Sequence, residues 1–178
     1  MTIPTREECL KLMNCHGMLD NIVSHSLEVT RVALSLSAAL NKKGQRIDLA
    51  LVEAASLLHD LAKTECLRTR EDHAKTALRI LKELGYGRVA EVVGQHVWLW
   101  NEGNPSSVSE EEVVNYADKR VQHDKVVSLN ERFSDLKDRY GNDERTRDYW
   151  QRLEKRIYDI EDKILLILHA EPRDLEFP

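Results

Sequence analysis

Four histidines and two aspartates stand in an order that could bind a metal: His25, then His59-Asp60, then His73, His96 and Asp118. His25 lies between Ile22 and Val29. His59 follows Val52 and Ala55, and His73 leads Ala77, Ile80 and Leu84. His96 follows Val92 and Val93, and Asp118 lies between Val114 and Val121. Helical positions three and four apart share a face, so each group is expected to point inward. A lone histidine on an apolar face is more often a satisfied core residue than a ligand. Six such groups on five helices need a common partner, because an unpaired buried carboxylate costs about as much as a domain's whole net stability. A divalent cation suits them, since neutral imidazole and ionised carboxylate are its ligands and its charge offsets the aspartates.

Helices must carry these groups, and nearly every segment has a helical period. Thr5-x-x-Glu8 is a capping-box pattern that opens a short first helix. A second helix is expected over 21–40, with Ile22, Val29, Val32, Leu36 and Leu40 as one stripe. A third is expected over 48–61, followed by a charged connection over 63–72. A fourth covers 72–84, with Gly85 placed to cap it, and a fifth covers 87–98. The NEGNPSS stretch, 101–107, is a loop by composition. Ser109-x-x-Glu112 caps a sixth helix, expected to run to Lys125. A seventh spans 129–140 and ends at Gly141-Asn142. The last, 143–169, has apolar residues at spacings of three and four: Trp150, Leu153, Ile157, Ile160, Ile164 and Leu168. Its stripe packs against the rest of the chain or against a second copy, as a homodimer would have it. No period-2 strand is evident. The expected fold is an all-α helical bundle of about seven to eight helices. It forms a single domain over 1–178, with a motif core at 21–125 and a helical extension at 126–178.

Composition narrows the function. The net charge of −5 argues against non-specific binding to a nucleic-acid duplex or an anionic membrane, both of which call for a basic surface. It leaves room for a small anionic substrate in a locally positive pocket. Cys9, Cys15 and Cys66 form no CxxC pair and read as reduced cytoplasmic thiols. No secretory leader or membrane span is visible. The remaining histidines read as structural. His123-Asp124 sits on a mixed face and is expected at the surface, His16 in a turn and His169 near the C-terminus.

The ordered set His25, His59-Asp60, His73, His96 and Asp118, in the contexts HSLEVTRVA, LLHDLAK, EDHAKTALRIL, QHV and YADKR, resembles the HD-domain superfamily of metal-dependent phosphohydrolases. The resemblance covers 25–118 and implies a helical bundle, in agreement with the periodicity. It implies that His25, His59, Asp60 and Asp118 hold a first metal ion. His73 and His96 match the extra histidines of the two-metal branch, with Asp60 bridging the ions. If either histidine points away, the site is mononuclear and those two contact substrate. The donors are all nitrogen and oxygen, which suits Fe, Mn, Co, Ni or Mg better than a structural zinc site.

The implied reaction is hydrolysis of a phosphoester or phosphoanhydride in a nucleotide-type substrate. Water on such a metal loses its proton near neutral pH, so no protein nucleophile is required. This fits the lack of GxSxG and of a P-loop. Lys63, four residues after His59, is the expected phosphate-binding cation that stabilises the transition state. Lys119 and Arg120, directly after Asp118, are candidates for a second phosphate, with a weaker claim for Arg68 and Arg70. Trp98, Trp100, Tyr86 and Tyr116 could stack a base or simply pack. The six-ligand pattern in a short chain is similar to that of bacterial symmetrical diadenosine tetraphosphate hydrolases, which makes diadenosine tetraphosphate the leading specific substrate. The alternatives are a mononuclear 5′-nucleotidase acting on monophosphates and a non-catalytic sensor stapled by its metal.

Overall fold

The structure is a computed structural model and describes residues 2–101, 103–140, 144–175 and 177. Its helices are α1 (Arg6–Cys15), α2 (Asp20–Lys42), α3 (Leu49–Leu58), α4 (Lys63–Thr69), α5 (His73–Glu83), α6 (Gly87–Val93), α7 (Glu110–Lys119), α8 (Leu129–Tyr140) and α9 (Glu144–Leu168). A two-residue hairpin, β1 (Val121–Gln122) with β2 (Lys125–Val126), joins α7 to α8. The expected all-α bundle is therefore found.

The helices start where their sequences dictate. Thr5 and Ser109 complete capping boxes with Glu8 and Glu112, and Asp48 and Asp72 cap α3 and α5 by accepting from two backbone N–H groups each. Gly85 ends α5 at φ +85°, a conformation open to glycine at little cost. The long α2 lies at the centre, against α3 on one side and α7 on another, while α6 packs on α3 and α5. Val29, Val32, Leu36 and Leu40 of α2 are fully buried. Each such side chain contributes about 1.5–3 kcal/mol by leaving water. The α9 stripe closes on this same core: Leu153, Ile157, Ile160 and Ile164 are buried within the chain.

Three expectations need correction. The third helix does not continue to Leu61. It stops at Leu58, and a turn forms before α4 begins at Lys63, with the Leu61 N–H donating to the Leu58 carbonyl and the Lys63 N–H to the Asp60 carbonyl. The charged stretch read as a connection is thus largely helical. The fifth helix ends at Val93 rather than Trp98. Gly94 caps it, and a Cβ there would meet Leu78 Cδ1 of α5 at 2.4 Å, so a larger residue would have to turn that side chain aside. The sixth ends at Lys119 rather than Lys125. Val121 and Val126 pair across the hairpin, and His123 turns the chain at φ +57°. The expected Gly141-Asn142 stop and the Asp143 start lie outside the described residues.

Candidate metal centre

The break after α3 does the first piece of positioning. In an unbroken helix the consecutive residues His59 and Asp60 would point about 100° apart. In the turn both aim at one point, enclosed by α2, α5, the end of α6 and the end of α7. Two donor groups result, His25 with His59 and Asp118, and Asp60 with His73 and His96; within each, the candidate ligand atoms lie within 4.8 Å of one another. All six residues expected as ligands are therefore brought together. Asp60 lies between the groups. Its Oδ2 is 3.4 Å from His59 Nε2, while its Oδ1 is 3.4 Å from His73 Nε2 and 3.7 Å from His96 Nε2.

Backbone carbonyls orient three of the imidazoles. His25 Nδ1 donates to the His123 carbonyl at 2.8 Å, His59 Nδ1 to Ser56 at 2.7 Å, and His96 Nδ1 to Val93 at 2.7 Å. A carbonyl only accepts, so each Nδ1 carries its proton and each Nε2 is left with a lone pair facing the donor group. The turn residue His123 thus serves through its backbone oxygen, while its side chain is exposed as expected. His59 Nε2 and Asp60 Oδ1 are buried with no hydrogen-bond partner. His25 Nε2 lies 3.0 Å from Asp118 Oδ1, and the Nε2 atoms of His73 and His96 are 3.0 Å apart. Buried acceptors facing one another at this range call for a cation.

Electrostatics favour the ligand forms. Burial alone would raise the Asp60 carboxyl, but His59 and Lys63 hold it well below its ordinary range. Burial likewise opposes the Asp118 carboxylate, and Lys119, His25 and His59 outweigh it. Burial and the neighbouring His59 and His73 keep His96 neutral far below its ordinary value, and burial lowers His73 as well. His59 departs in the other direction. Burial works against its charge, but Asp60 and Asp118 raise it.

Beneath these groups opens a cavity of about 560 Å³. Lys63 lies on its wall with Nζ 2.6 Å from Asp60 Oδ2; Asp60 and Asp118 hold this ammonium charged against the effect of burial. Lys119 also lines the cavity, but it is buried, with Nζ 2.5 Å from Asp118 Oδ2 and 3.3 Å from the His96 carbonyl. Arg120 does not line the cavity. Its guanidinium turns to the opposite side, donating to the Tyr116 hydroxyl at 2.5 Å and the Val127 carbonyl at 2.8 Å, with Glu161 at 3.4 Å. Alternation of direction at the helix end separates these neighbours. Arg68 and Arg70 are exposed on α4 and just beyond it, Tyr116 is core, and His16 and His169 lie away from the cavity. Trp98 stacks on Tyr149 at 5.6 Å between centroids.

Other cavity residues were not singled out from the sequence as site residues, although Trp150 and Leu153 belong to the expected apolar stripe of the last helix. Arg132, Leu136 and Arg139 of α8 and Thr146, Tyr149, Trp150 and Leu153 of α9 form its far wall. Their spacings, i, i+4, i+7 and i, i+3, i+4, i+7, put each set on one helical face.

The HD domain family model matches residues 22–165, running past the six donors through most of α9. The chain belongs to the HD domain family. HD domains are in general metal-dependent phosphohydrolases, and the nitrogen-and-oxygen donors with unpartnered Nε2 and Oδ1 atoms fit divalent metal. This HD domain is 34% identical over 80 residues to an uncharacterised protein of Methanocaldococcus jannaschii, covering 44% of the chain and 46% of that protein. It is 27% identical over 154 residues to a tRNA (cytidine(56)-2′-O)-methyltransferase of Picrophilus torridus, covering 79% of the chain and 42% of the relative. A methyltransferase of the same name from Thermoplasma volcanium is 30% identical over 96 residues, 53% of the chain and 26% of that protein. The chain spans less than half the length of these curated relatives. No solved structure gives a significant match. Among the described residues, no helix is long and apolar enough to cross a membrane.

Proposed function

We propose that this HD domain hydrolyses a phosphoester or phosphoanhydride bond in a small nucleotide-type substrate, with two divalent ions as cofactor. One observation carries the reading: two donor groups, one holding Asp60 and the other reaching it through His59 at 3.4 Å, line a cavity whose wall presents Lys63. His25, His59 and Asp118 would hold one ion and His73 and His96 the other, with Asp60 between them. Divalent ions bound there, drawn from Fe, Mn, Co, Ni or Mg, supply a nucleophile from water at neutral pH and offset phosphoryl charge. The protein's own part is to orient and to neutralise. The carbonyls of Ser56, Val93 and His123 fix the ligand tautomers. Lys63 meets the charge that grows on the phosphoryl oxygens, and Lys119 braces the Asp118 carboxylate. Tyr149 and Trp150 on the cavity wall favour a substrate with an aromatic base.

Diadenosine tetraphosphate is the specific substrate we put first. The second donor group counts against a mononuclear 5′-nucleotidase, and the retention of all six donors counts against a sensor with a merely structural metal. A second reading draws on the relatives named as tRNA methyltransferases, whose match covers most of the chain, and takes the phosphoester from RNA. Purified protein is assayed for metal content, then screened with Mn²⁺ or Fe²⁺ against dinucleoside polyphosphates, nucleoside mono-, di- and triphosphates and short RNAs. Turnover of dinucleoside polyphosphates is expected. Turnover of RNA alone would favour the second reading, and no turnover across the panel by the folded, metal-loaded protein would overturn the hydrolase assignment.

A further inference from the structure

A substrate with one phosphate does not use all the positive charge of this cavity. Arg132 and Arg139 of α8 both line it, and they share one carboxylate, Asp135. Arg139 makes the closer pairing, at 2.8 Å. Arg132 Nη1 reaches Asp135 only at 3.3 Å, and the Arg132 Nε is buried with no partner. A guanidinium has five N–H donors, so most of the Arg132 capacity is unspent in a largely buried position. Arg132 and Lys63 line the same cavity, and the guanidinium charge acts on the Lys63 ammonium. Lys63 is committed to Asp60 and Lys119 to Asp118, beside the metal donors. Arg132 lines the cavity from α8 and pairs with neither of those carboxylates.

We propose that Arg132, supported by Arg139, is a binding site for a phosphate other than the one attacked, so that the preferred substrates carry at least two linked phosphates. The inference rests on the hydrolase reading for the position of the attacked phosphate at the donor groups. A guanidinium binds two phosphate oxygens in a fixed fork, which makes Arg132 a selective partner for a diphosphate lying in the cavity. Arg120, the nearer candidate by sequence, is spent on Tyr116 and Glu161.

The test needs no turnover. Methylenediphosphonate, whose P–C–P bridge resists hydrolysis, and methylphosphonate are titrated by calorimetry onto Mn²⁺-loaded protein and its Arg132→Gln variant. Loss of charge-assisted bonds predicts roughly tenfold weaker binding of the diphosphonate and less than a twofold change for the monophosphonate. Asp135 keeps Arg139 as its partner in this variant. If Arg132→Gln does not fold, Arg139→Gln, on the more exposed side of α8, carries the same comparison, with a selective loss of about threefold expected. Equal weakening of both probes, or no weakening of either, overturns the proposal. A selective loss in a protein that hydrolyses no phosphoester would leave the subsite standing and bring down the hydrolase reading alone.

Discussion

The two donor groups differ in how they are enclosed. His25, His59 and Asp118 are all buried, two of them anchored through Nδ1 to backbone carbonyls. In the group of Asp60, His73 and His96, His73 is the first residue of α5, part-exposed toward the cavity. His96 is anchored to Val93. One group is thus wholly buried and the other carries the single part-exposed donor, His73, although His25 and Asp118 of the buried group also line the cavity. The turn after α3 supplies both, His59 to the buried group and Asp60 to the group with His73. On the proposed reading, the buried group would retain its ion and the group with His73 would exchange its ion more readily.

Asp60→Ala removes the residue between the groups and should break the comparison outright. Turnover is expected to fall to background and metal content to drop at both positions, as read by elemental analysis. Retained activity would remove Asp60 from its bridging role. Next in size is the pair His59→Ala and His73→Ala. The first should cost both ions, since the shared turn loses its anchor. The second should leave the ion of the buried group in place and lower turnover through the position that holds His73 alone. If His73→Ala empties both groups, the distinction between them fails. Lys63→Ala sits outside both groups; kcat should fall by roughly 10²–10³-fold with metal content nearly unchanged. Loss of metal instead would make Lys63 a structural partner of Asp60.

The smallest effect lies away from the site. Glu111 of α7 pairs with Arg88 of α6, tying together two helices that lead to Asp118 and His96. Arg88 holds the Glu111 carboxyl below its ordinary value despite burial. A depressed folded value means the pairing contributes above the ordinary carboxylate range and fades as pH falls through the folded value. Glu111→Gln should therefore cost about 1 kcal/mol or less at neutral pH, and nothing measurable well below pH 4. Thermal melts across pH read this directly, and neither donor group should lose metal.

Five of the donors were legible in the sequence because burial phase is a helical property and His25, His59, His73, His96 and Asp118 each lie in phase with an apolar stripe; Asp60 came with its neighbour His59. The turn that lets His59 and Asp60 converge was not legible, since LLHDLAK reads as continuing helix and only tertiary packing ends it at Leu58. The hairpin after α7 was hidden for a similar reason: its two-residue strands are too short for a period, and His123 takes a positive φ without being glycine. Arg120 and Arg132 exchange the roles that sequence proximity suggests. Nearness to Asp118 along the chain made Arg120 a candidate, yet the helix end turns it to Glu161. Arg132 reaches the cavity only because α8 folds back over the donors, a long-range fact that no local pattern records.

Anomalous diffraction from crystals soaked in Mn²⁺ tests the central claim most directly. The account predicts two peaks, one among His25, His59 and Asp118 and one among Asp60, His73 and His96, with Asp60 touching both. A single peak remote from these side chains, or none at all in well-ordered crystals, would contradict it.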